Sequence, residues 1–276
     1  MKRLLPRLGA IAWTLRLAVA FLLLVSVSAL FAPLLGLDDP YAQESDQRLQ
    51  APSWRHPFGT DDLGRDIFSR VVFGGRVSLS VGLVAVGLAF GVGVPLGVTS
   101  GYLGGGVDRC LSVVIEVLMT LPAILLALVM VAILGPSLGN VMLAVGISQI
   151  PHFARQARAS TLSVREHDYV LAASALGATT FRLLRRHVLP NVLAPVVVVA
   201  TMGLGGAILE SAGLSFLGLA GDPSRPEWGS MLTANRERFL QQPWLVIAPG
   251  IAITGTVLSF NIVGDALRDW LDPRAM

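Results

Sequence analysis

Few side chains in this 276-residue chain are of the types that perform catalysis or hold a metal ion. The only lysine is Lys2, so the chain lacks the G-x-x-x-x-G-K-[ST] loop that holds nucleotide phosphates in ATPases. The single cysteine, Cys110, excludes a disulfide framework and a cysteine-based zinc site. No Ser/His/Asp set stands out, and His152 has no partner at a metal-ligand spacing. The sequence therefore predicts a non-enzymatic chain without a catalytic residue, a metal site or a cofactor of its own.

The segment of residues 155–190 has a helical pattern of its own. Asp168 is a good N-cap, because its carboxylate accepts the free backbone N–H groups of a helix start. Apolar residues then recur at i, i+3, i+4 and i+7, which places them on one helix face: Tyr169, Ala172, Ala173 and Leu176. Gly177 ends this stripe, as expected of a residue that adopts positive φ at a helix C-terminus.

A second short helix is predicted to follow in the same segment. Thr179 or Thr180 can cap it, and Pro190 comes at its end. Phe181, Leu184 and Val188 share one face. Two capped helices and a glycine hinge indicate a docking element for another protein. The alternative is a basic loop that only fixes membrane topology through its arginines, Arg182, Arg185 and Arg186.

The elements that must position this segment are membrane spans. Hydrophobic residues make up 53% of the chain and charged residues 14%, and the charges are absent from whole blocks. These charge-free blocks are long enough for the ~20 helical residues that cross a bilayer. One block, 117–154, is too long for one crossing, and we divide it at the turn residues 135–140. The sequence thus predicts an all-α polytopic membrane protein with six transmembrane helices: 17–37, 77–100, 111–134, 138–154, 191–215 and 244–264.

The distribution of charge predicts the orientation of these spans. With residues 1–16 in the cytoplasm, the inner segments have a net charge of +7 and the outer loops a net charge of −2. This asymmetry follows the positive-inside rule and explains the basic excess without nucleic-acid binding. Both termini are then cytoplasmic, the first span is a retained signal anchor, and the remaining segments are two outer loops, 38–76 and 219–243, and two cytoplasmic segments, 155–190 and 265–276.

Polar and small residues also occur within or beside the predicted spans. Glu116 and Glu210 are intramembrane carboxylates, which are costly in a bilayer and often functional. Both lie near span ends, so a structural role remains open for each. Glycines in the second span recur every fourth residue in two rows, which favours close helix packing; these are Gly87 and Gly91, and Gly93, Gly97 and Gly101. The alternative for Gly93, which flanks Pro95, is a flexible segment in a gating helix.

The first outer loop contains an amphipathic stretch. Leu63, Ile67 and Val71 recur every fourth residue among polar side chains. This pattern predicts either a helix at the membrane interface or a surface helix packed on the bundle, and the sequence leaves both open.

Several motifs resemble those of a known family. The coupling motif of bacterial ATP-binding-cassette importer permeases is E-A-A-x3-G-x9-I-x-L-P, and this sequence is similar to it at Ala172, Ala173, Gly177, Leu189 and Pro190. Leu171 and His187 stand where the motif has Glu and Ile. Residues 56–66, 214–219, 228–229 and 261–274 resemble the second, C-type permease of the dipeptide/oligopeptide/nickel family.

The resemblance implies the type I permease fold of these importers and their assembly in the bacterial inner (plasma) membrane. It implies a second homologous permease, two cytoplasmic ATP-binding subunits that hold ATP and Mg, and an outer substrate-binding protein. Together with the helical pattern, it assigns ATPase coupling to nine residues: Asp168, Tyr169, Ala172, Ala173, Leu176, Gly177, Phe181, Leu189 and Pro190.

Two other classes of transport protein compete with this interpretation. A secondary transporter usually has inverted repeats and midplane polar groups, neither of which is obvious in the six predicted spans. A channel needs a ring of filter-forming polar positions, which no span shows. The sequence does not choose among the substrates of the family that it resembles, which are dipeptides, oligopeptides, glutathione, opines and nickel.

Overall fold

The fold was obtained as a computed structural model, which describes residues 5–271 and the side chains of residues 13–271. The described residues form helices and loops, with one isolated bridge between Thr60 and Asp66 in place of any strand. The α-helices are α1 (Leu5–Leu30), α2 (Ile67–Leu103), α3 (Gly105–Met119), α4 (Ala123–Leu134), α5 (Leu138–Arg165), α6 (Asp168–Ala175), α7 (Thr180–Leu183), α8 (Leu189–Phe216), α9 (Trp228–Asn235) and α10 (Trp244–Leu271). The predicted all-α class is confirmed for this part of the chain.

Parts of two predictions fall outside the described residues. Lys2 and Arg3, which contribute to the inner positive charge, precede them, and three residues of the C-terminal motif follow them: Asp272, Pro273 and Arg274.

The predicted number of six spans is not confirmed by length and composition. Among the described residues, four helical segments are long and apolar enough to cross a membrane, and a bent pair, α3 and α4, would make five. These four are in α1, in α2, in the continuous helix that ends with α8, and in α10. The predicted span 138–154 lies in α5, where Asn140, Gln149 and His152 interrupt the apolar run.

The predicted third span, 111–134, is broken in its middle. α3 and α4 meet at an angle of 89°. Pro122 precedes α4 with a ψ of 133°, has no N–H to donate to the preceding turn and disfavours a helical Leu121. A proline within an apolar run therefore bends a segment that hydropathy alone predicts to be straight.

The helices near the first outer loop begin and end at other residues than predicted. α1 ends at Leu30, and a 3₁₀ turn, Ala32–Leu34, replaces the rest of the predicted span 17–37. The amphipathic stretch of the loop is not a separate interfacial helix, because Ile67 and Val71 belong to the first turns of α2. Gly64, with a φ of +76°, keeps Leu63 outside that helix.

The long helices pack around two apolar clusters. α2 lies along α5, and α10 packs on α8 and α1. The larger cluster joins α2, α4, α5 and α8, and includes Val86, Val145 and Phe153. The smaller cluster surrounds Trp228, whose indole N–H donates to the Val71 carbonyl at 2.8 Å. α5 and α8 are thus held at the centre of the fold, with one side of each left uncovered.

Candidate docking surface and translocation groove

α6 and α7 have the glycine hinge and the α7 cap that the sequence predicts, but the predicted second short helix is not separate. α7 continues through a π-helical turn into α8, past Pro190. Phe181 is 72% exposed and Val188 is fully buried, so the predicted shared face is wrong for this pair.

The N-cap of α6 is His167, so Asp168 is one position later than predicted and is the first helical residue. Its negative charge still favours the helix because it lies at the positive end of the helix dipole. Gly177 has a φ of +83°, as expected after a helix end. Thr179 caps α7 by accepting a hydrogen bond from the backbone N–H of Arg182 at 3.4 Å.

The apolar side chains of this hairpin divide into an inward and an outward set. Val170 and Leu183 are each 3% exposed and join the larger core cluster, with Ala173 packed beside them. Leu176 is 88% exposed and Phe181 is 72% exposed. Ala173 therefore faces inward, whereas the sequence placed it on the same face as Leu176. We call the outward set the docking surface: Tyr169, Leu171, Ala172, Leu176 and Phe181.

Aromatic contacts join the docking surface to the helix that follows. The Tyr169 ring lies between His167 and His187, with ring centroids 5.6 Å and 6.1 Å apart. His187 is in a π-helical turn, Leu184–Val188, that connects α7 to α8. Such turns inside helices often occur at functional sites. The histidine that replaces the motif's isoleucine thus links α6 to the start of α8, a role that sequence reasoning missed.

Two predicted coupling residues lie away from the docking surface. Leu189 packs against the larger core cluster. Pro190 lines a cavity beside α8. Both residues belong to the first turn of α8, and the structure does not group them with the docking surface.

An ion pair joins α3 to α5, the helix that precedes the hairpin of α6 and α7. Arg158 donates to both oxygens of Asp108, from Nε to Oδ1 at 2.6 Å and from its terminal NH2 to Oδ2 at 2.7 Å. Ser100 of α2 donates to the same carboxylate at 2.5 Å, and Arg165 donates to the Gly101 carbonyl at 2.8 Å. Asp108 and Arg158 are 50 residues apart, and nothing in that spacing indicates that they meet.

The predicted outer loop of residues 38–76 is held together by buried charges. Asp61 accepts a hydrogen bond from Arg65 Nε at 2.6 Å, and Arg70 Nε lies 3.9 Å from the same carboxylate. Arg70 is 2% exposed and donates to the carbonyls of Pro40 at 2.8 Å and Ser224 at 3.1 Å. Asp61, Arg65 and Arg70 therefore stabilise the loops, and their side chains are too buried to contact another protein.

A second buried network lies beside the first. His56 Nδ1 is 2.9 Å from Asp66 Oδ1, and His56 Nε2 is 2.7 Å from Gln47 Oε1. The other oxygen of Asp66 accepts the backbone N–H of Ser69 and so caps α2. The Asp38 carboxylate also lies within 4.8 Å of this pair. Since both ring nitrogens of His56 have protein partners, we interpret this group as a structural network.

The second outer loop has a buried carboxylate at the start of α9. Glu227 accepts hydrogen bonds from the backbone N–H groups of Gly229 at 2.9 Å and Ser230 at 2.7 Å. Burial raises the pKa of the Glu227 carboxyl, and these hydrogen bonds oppose that rise. The capped helix packs its Trp228 into the smaller core cluster.

A groove follows the uncovered sides of α5 and α8. It consists of two cavities, of about 680 Å³ and about 290 Å³, that share Val199 and Met202. Glu210 lines the smaller cavity, whereas Glu116 is an exposed residue of α3 outside the groove. The structure therefore separates two carboxylates that the sequence treats alike. We call this feature the α5–α8 groove: Gln149, Gln156, Pro190, Val199, Met202 and Glu210.

Comparison with known proteins decides the family. The family described as the binding-protein-dependent transport system inner membrane component matches residues 93–276. The chain belongs to this family. It is a permease component of an inner-membrane transport system and not an enzyme.

Relatives of this family member share nearly its whole length. It is 45% identical to a dipeptide transport system permease protein of Alkalihalophilus pseudofirmus, over 94% of this chain and 86% of the relative. It is 42% identical to a glutathione transport system permease protein of Escherichia coli, over 93% of this chain and 85% of the relative. A di/tripeptide transport system permease protein of Pseudomonas aeruginosa is 41% identical, over 92% of this chain and 86% of the relative.

Solved structures confirm the fold of the family member. A chain of the inward-facing MetNI methionine ABC transporter matches with a TM-score of 0.62 at 20% identity, over 74% of this chain and 96% of that chain. The permease fold expected from the sequence is thus confirmed. The family gives no support to the alternatives of a secondary transporter or a channel.

Proposed function

We propose that this chain is one of two permease subunits of an ATP-driven importer of short peptides. The observation that supports it most directly is the docking surface, a cluster of exposed apolar side chains on a capped helix pair. Exposed apolar patches of this kind mark protein interfaces. A cytoplasmic ATPase subunit, which holds ATP and Mg, occupies this surface, and a second ATPase subunit binds the partner permease.

The membrane arrangement belongs to the same proposal. Six elements cross the bilayer: α1, α2, the bent pair α3–α4, α5, α8 and α10. α5 crosses despite its polar residues because Gln149 and His152 face the α5–α8 groove and not lipid. Both termini are cytoplasmic, which places the hairpin of α6 and α7 on the side where ATP is available.

The remaining partners follow from the uncovered faces. A homologous permease packs against α5 and α8 and closes the groove into a path. A substrate-binding protein delivers the solute at the loops that contain the buried Asp61 and Glu227 networks. Short peptides are the proposed solutes because relatives at 41–45% identity are named for transport of dipeptides, di/tripeptides and glutathione.

The experiment measures ATP hydrolysis by the assembled complex in proteoliposomes, with a loaded binding protein outside. Ala172→Arg places a long cation in the docking surface, and we expect it to abolish the stimulation of ATP hydrolysis by the loaded binding protein. Ser163→Arg, at an exposed position of α5, adds the same charge outside that surface and should leave stimulation intact. Unchanged stimulation in Ala172→Arg would exclude this surface as the ATPase contact.

A further inference from the structure

Glu210 has an unusual environment for a carboxylate. It lies in α8 within an otherwise apolar stretch and faces Ser148 and Gln149 of α5. Its Oε2 atom is buried and has no hydrogen-bond partner in the part of the chain that the structure describes. Buried polar atoms are nearly always paired, and carboxylates within membrane helices are usually functional. Glu210 therefore has an unused acceptor in a place where an acceptor is costly.

The position of Glu210 along α8 places its side chain in the wall of the α5–α8 groove. The groove begins beside Pro190 at the start of α8 and reaches Glu210 in the last third of that helix. Twenty helical residues separate these two positions, a rise of ~30 Å, which is the thickness of a bilayer core. Glu210 therefore lies in a groove long enough to extend across a membrane.

The surroundings of Glu210 have the polarity that a peptide end requires. The buried amide of Gln149 lines the same cavity and can pair with a peptide group. Gly203 keeps this wall open, since a Cβ there would lie 3.3 Å from Gln149 Oε1. His152 lines the same cavity, and Arg268 of α10 lines the larger one, while no lysine or arginine lines the described cavity around Glu210.

We propose that Glu210 binds the α-ammonium group of a peptide during its passage through the groove. The ammonium group donates hydrogen bonds to the Glu210 carboxylate, whose Oε2 turns towards the groove to accept them, and its positive charge compensates that of the carboxylate. This inference rests on the proposed function. The recognised feature is a charged amine next to an amide, which short peptides share and inorganic cations lack.

The test uses the assembled complex in proteoliposomes, supplied with ATP and with saturating binding protein loaded with alanyl-alanine. Glu210→Gln retains the shape and removes the charge. We expect peptide uptake to fall about tenfold, the effect of losing one charge-assisted hydrogen bond. Stimulated ATP hydrolysis and complex assembly should stay near wild type, because the docking surface is intact. Glu210→Asp, which restores the charge, should recover a substantial part of the uptake.

Glu116→Gln is the matched control, since it removes an exposed carboxylate of α3 outside the groove. Normal uptake in this control together with the loss in Glu210→Gln would support the ammonium site. Wild-type uptake in Glu210→Gln, or equal losses of uptake, ATP hydrolysis and assembly, would overturn it. A wild-type complex without ATP-driven uptake of any solute would overturn the proposed function and this inference with it. ATP-driven uptake of nickel but not of alanyl-alanine would overturn both the ammonium site and the peptide specificity of the proposed function. ATP-driven uptake of alanyl-alanine that Glu210→Gln leaves unchanged would overturn the ammonium site alone.

Discussion

Three glycines bring the backbone of α2 against α5. A Cβ at Gly97 would lie 2.1 Å from the Ala154 carbonyl oxygen, and one at Gly93 would lie 2.7 Å from that of Ile150. A Cβ at Gly101 would lie 2.9 Å from the Arg158 carbonyl oxygen. The predicted close packing is confirmed for this row and not for Gly87 and Gly91, which have no such neighbour within 4 Å.

At the scale of single residues, adding one methyl group should affect stability differently in the two glycine rows. We expect Gly97→Ala to destabilise the purified permease complex by about 1–3 kcal/mol, because the added Cβ forces two backbones apart. Gly91→Ala should be neutral or stabilising, since alanine favours a helix over glycine. Thermal unfolding of both variants measures the difference. Equal melting temperatures would show that α2 does not approach α5 as described.

Arg70 joins the two outer loops. Its guanidinium is buried and donates to carbonyls of Pro40 and Ser224, which belong to different loops. We expect Arg70→Met to cost about 1–3 kcal/mol for each carbonyl that loses its donor, at Pro40 and Ser224, while Asp61 keeps its ion pair with Arg65. Limited proteolysis of the loops, together with thermal unfolding, measures the effect.

Arg76→Met serves as the control for the Arg70 prediction. Arg76 is an exposed arginine of the same helix, so its loss should change neither proteolysis nor melting. Equal behaviour of the two variants would contradict a structural role for Arg70.

At the scale of whole elements, the sequence predicted local structure better than contacts. Spacing and capping residues predicted the hairpin of α6 and α7, including the glycine at positive φ, because these signals are local. The bend at Pro122 had a local signal as well, which hydropathy alone concealed. The pairing of Asp108 with Arg158 had none, since it depends on how α3 meets α5.

The environment of a polar side chain depends on contacts between elements, which the sequence does not show. Glu116 and Glu210 look equivalent in sequence, since each interrupts an apolar stretch. The arrangement of α5 beside α8 makes Glu210 part of a groove and leaves Glu116 exposed on α3. Likewise, the motif of residues 56–66 is polar, but Asp61, Arg65 and Asp66 are buried in networks that only the folded loops form.

At the scale of the whole molecule, basic and acidic residues concentrate in different segments of the chain. Arginines and the docking surface cluster in the segment between α5 and α8, and acidic residues cluster in the loops before α2. In the proposed importer these segments face ATPase and binding protein respectively. The central claim is that the docking surface binds the ATPase subunit.

Site-specific cross-linking tests this claim most directly. Cys110 is exposed and is the only cysteine, so Cys110→Ser provides a background for single-cysteine variants. A photo-activated cross-linker attached to Leu176→Cys should join the permease to the ATPase subunit. The same reagent at Leu240→Cys, 93% exposed in the loop before α10, should not. A complex that hydrolyses ATP but cross-links its ATPase only from Leu240→Cys would contradict the account.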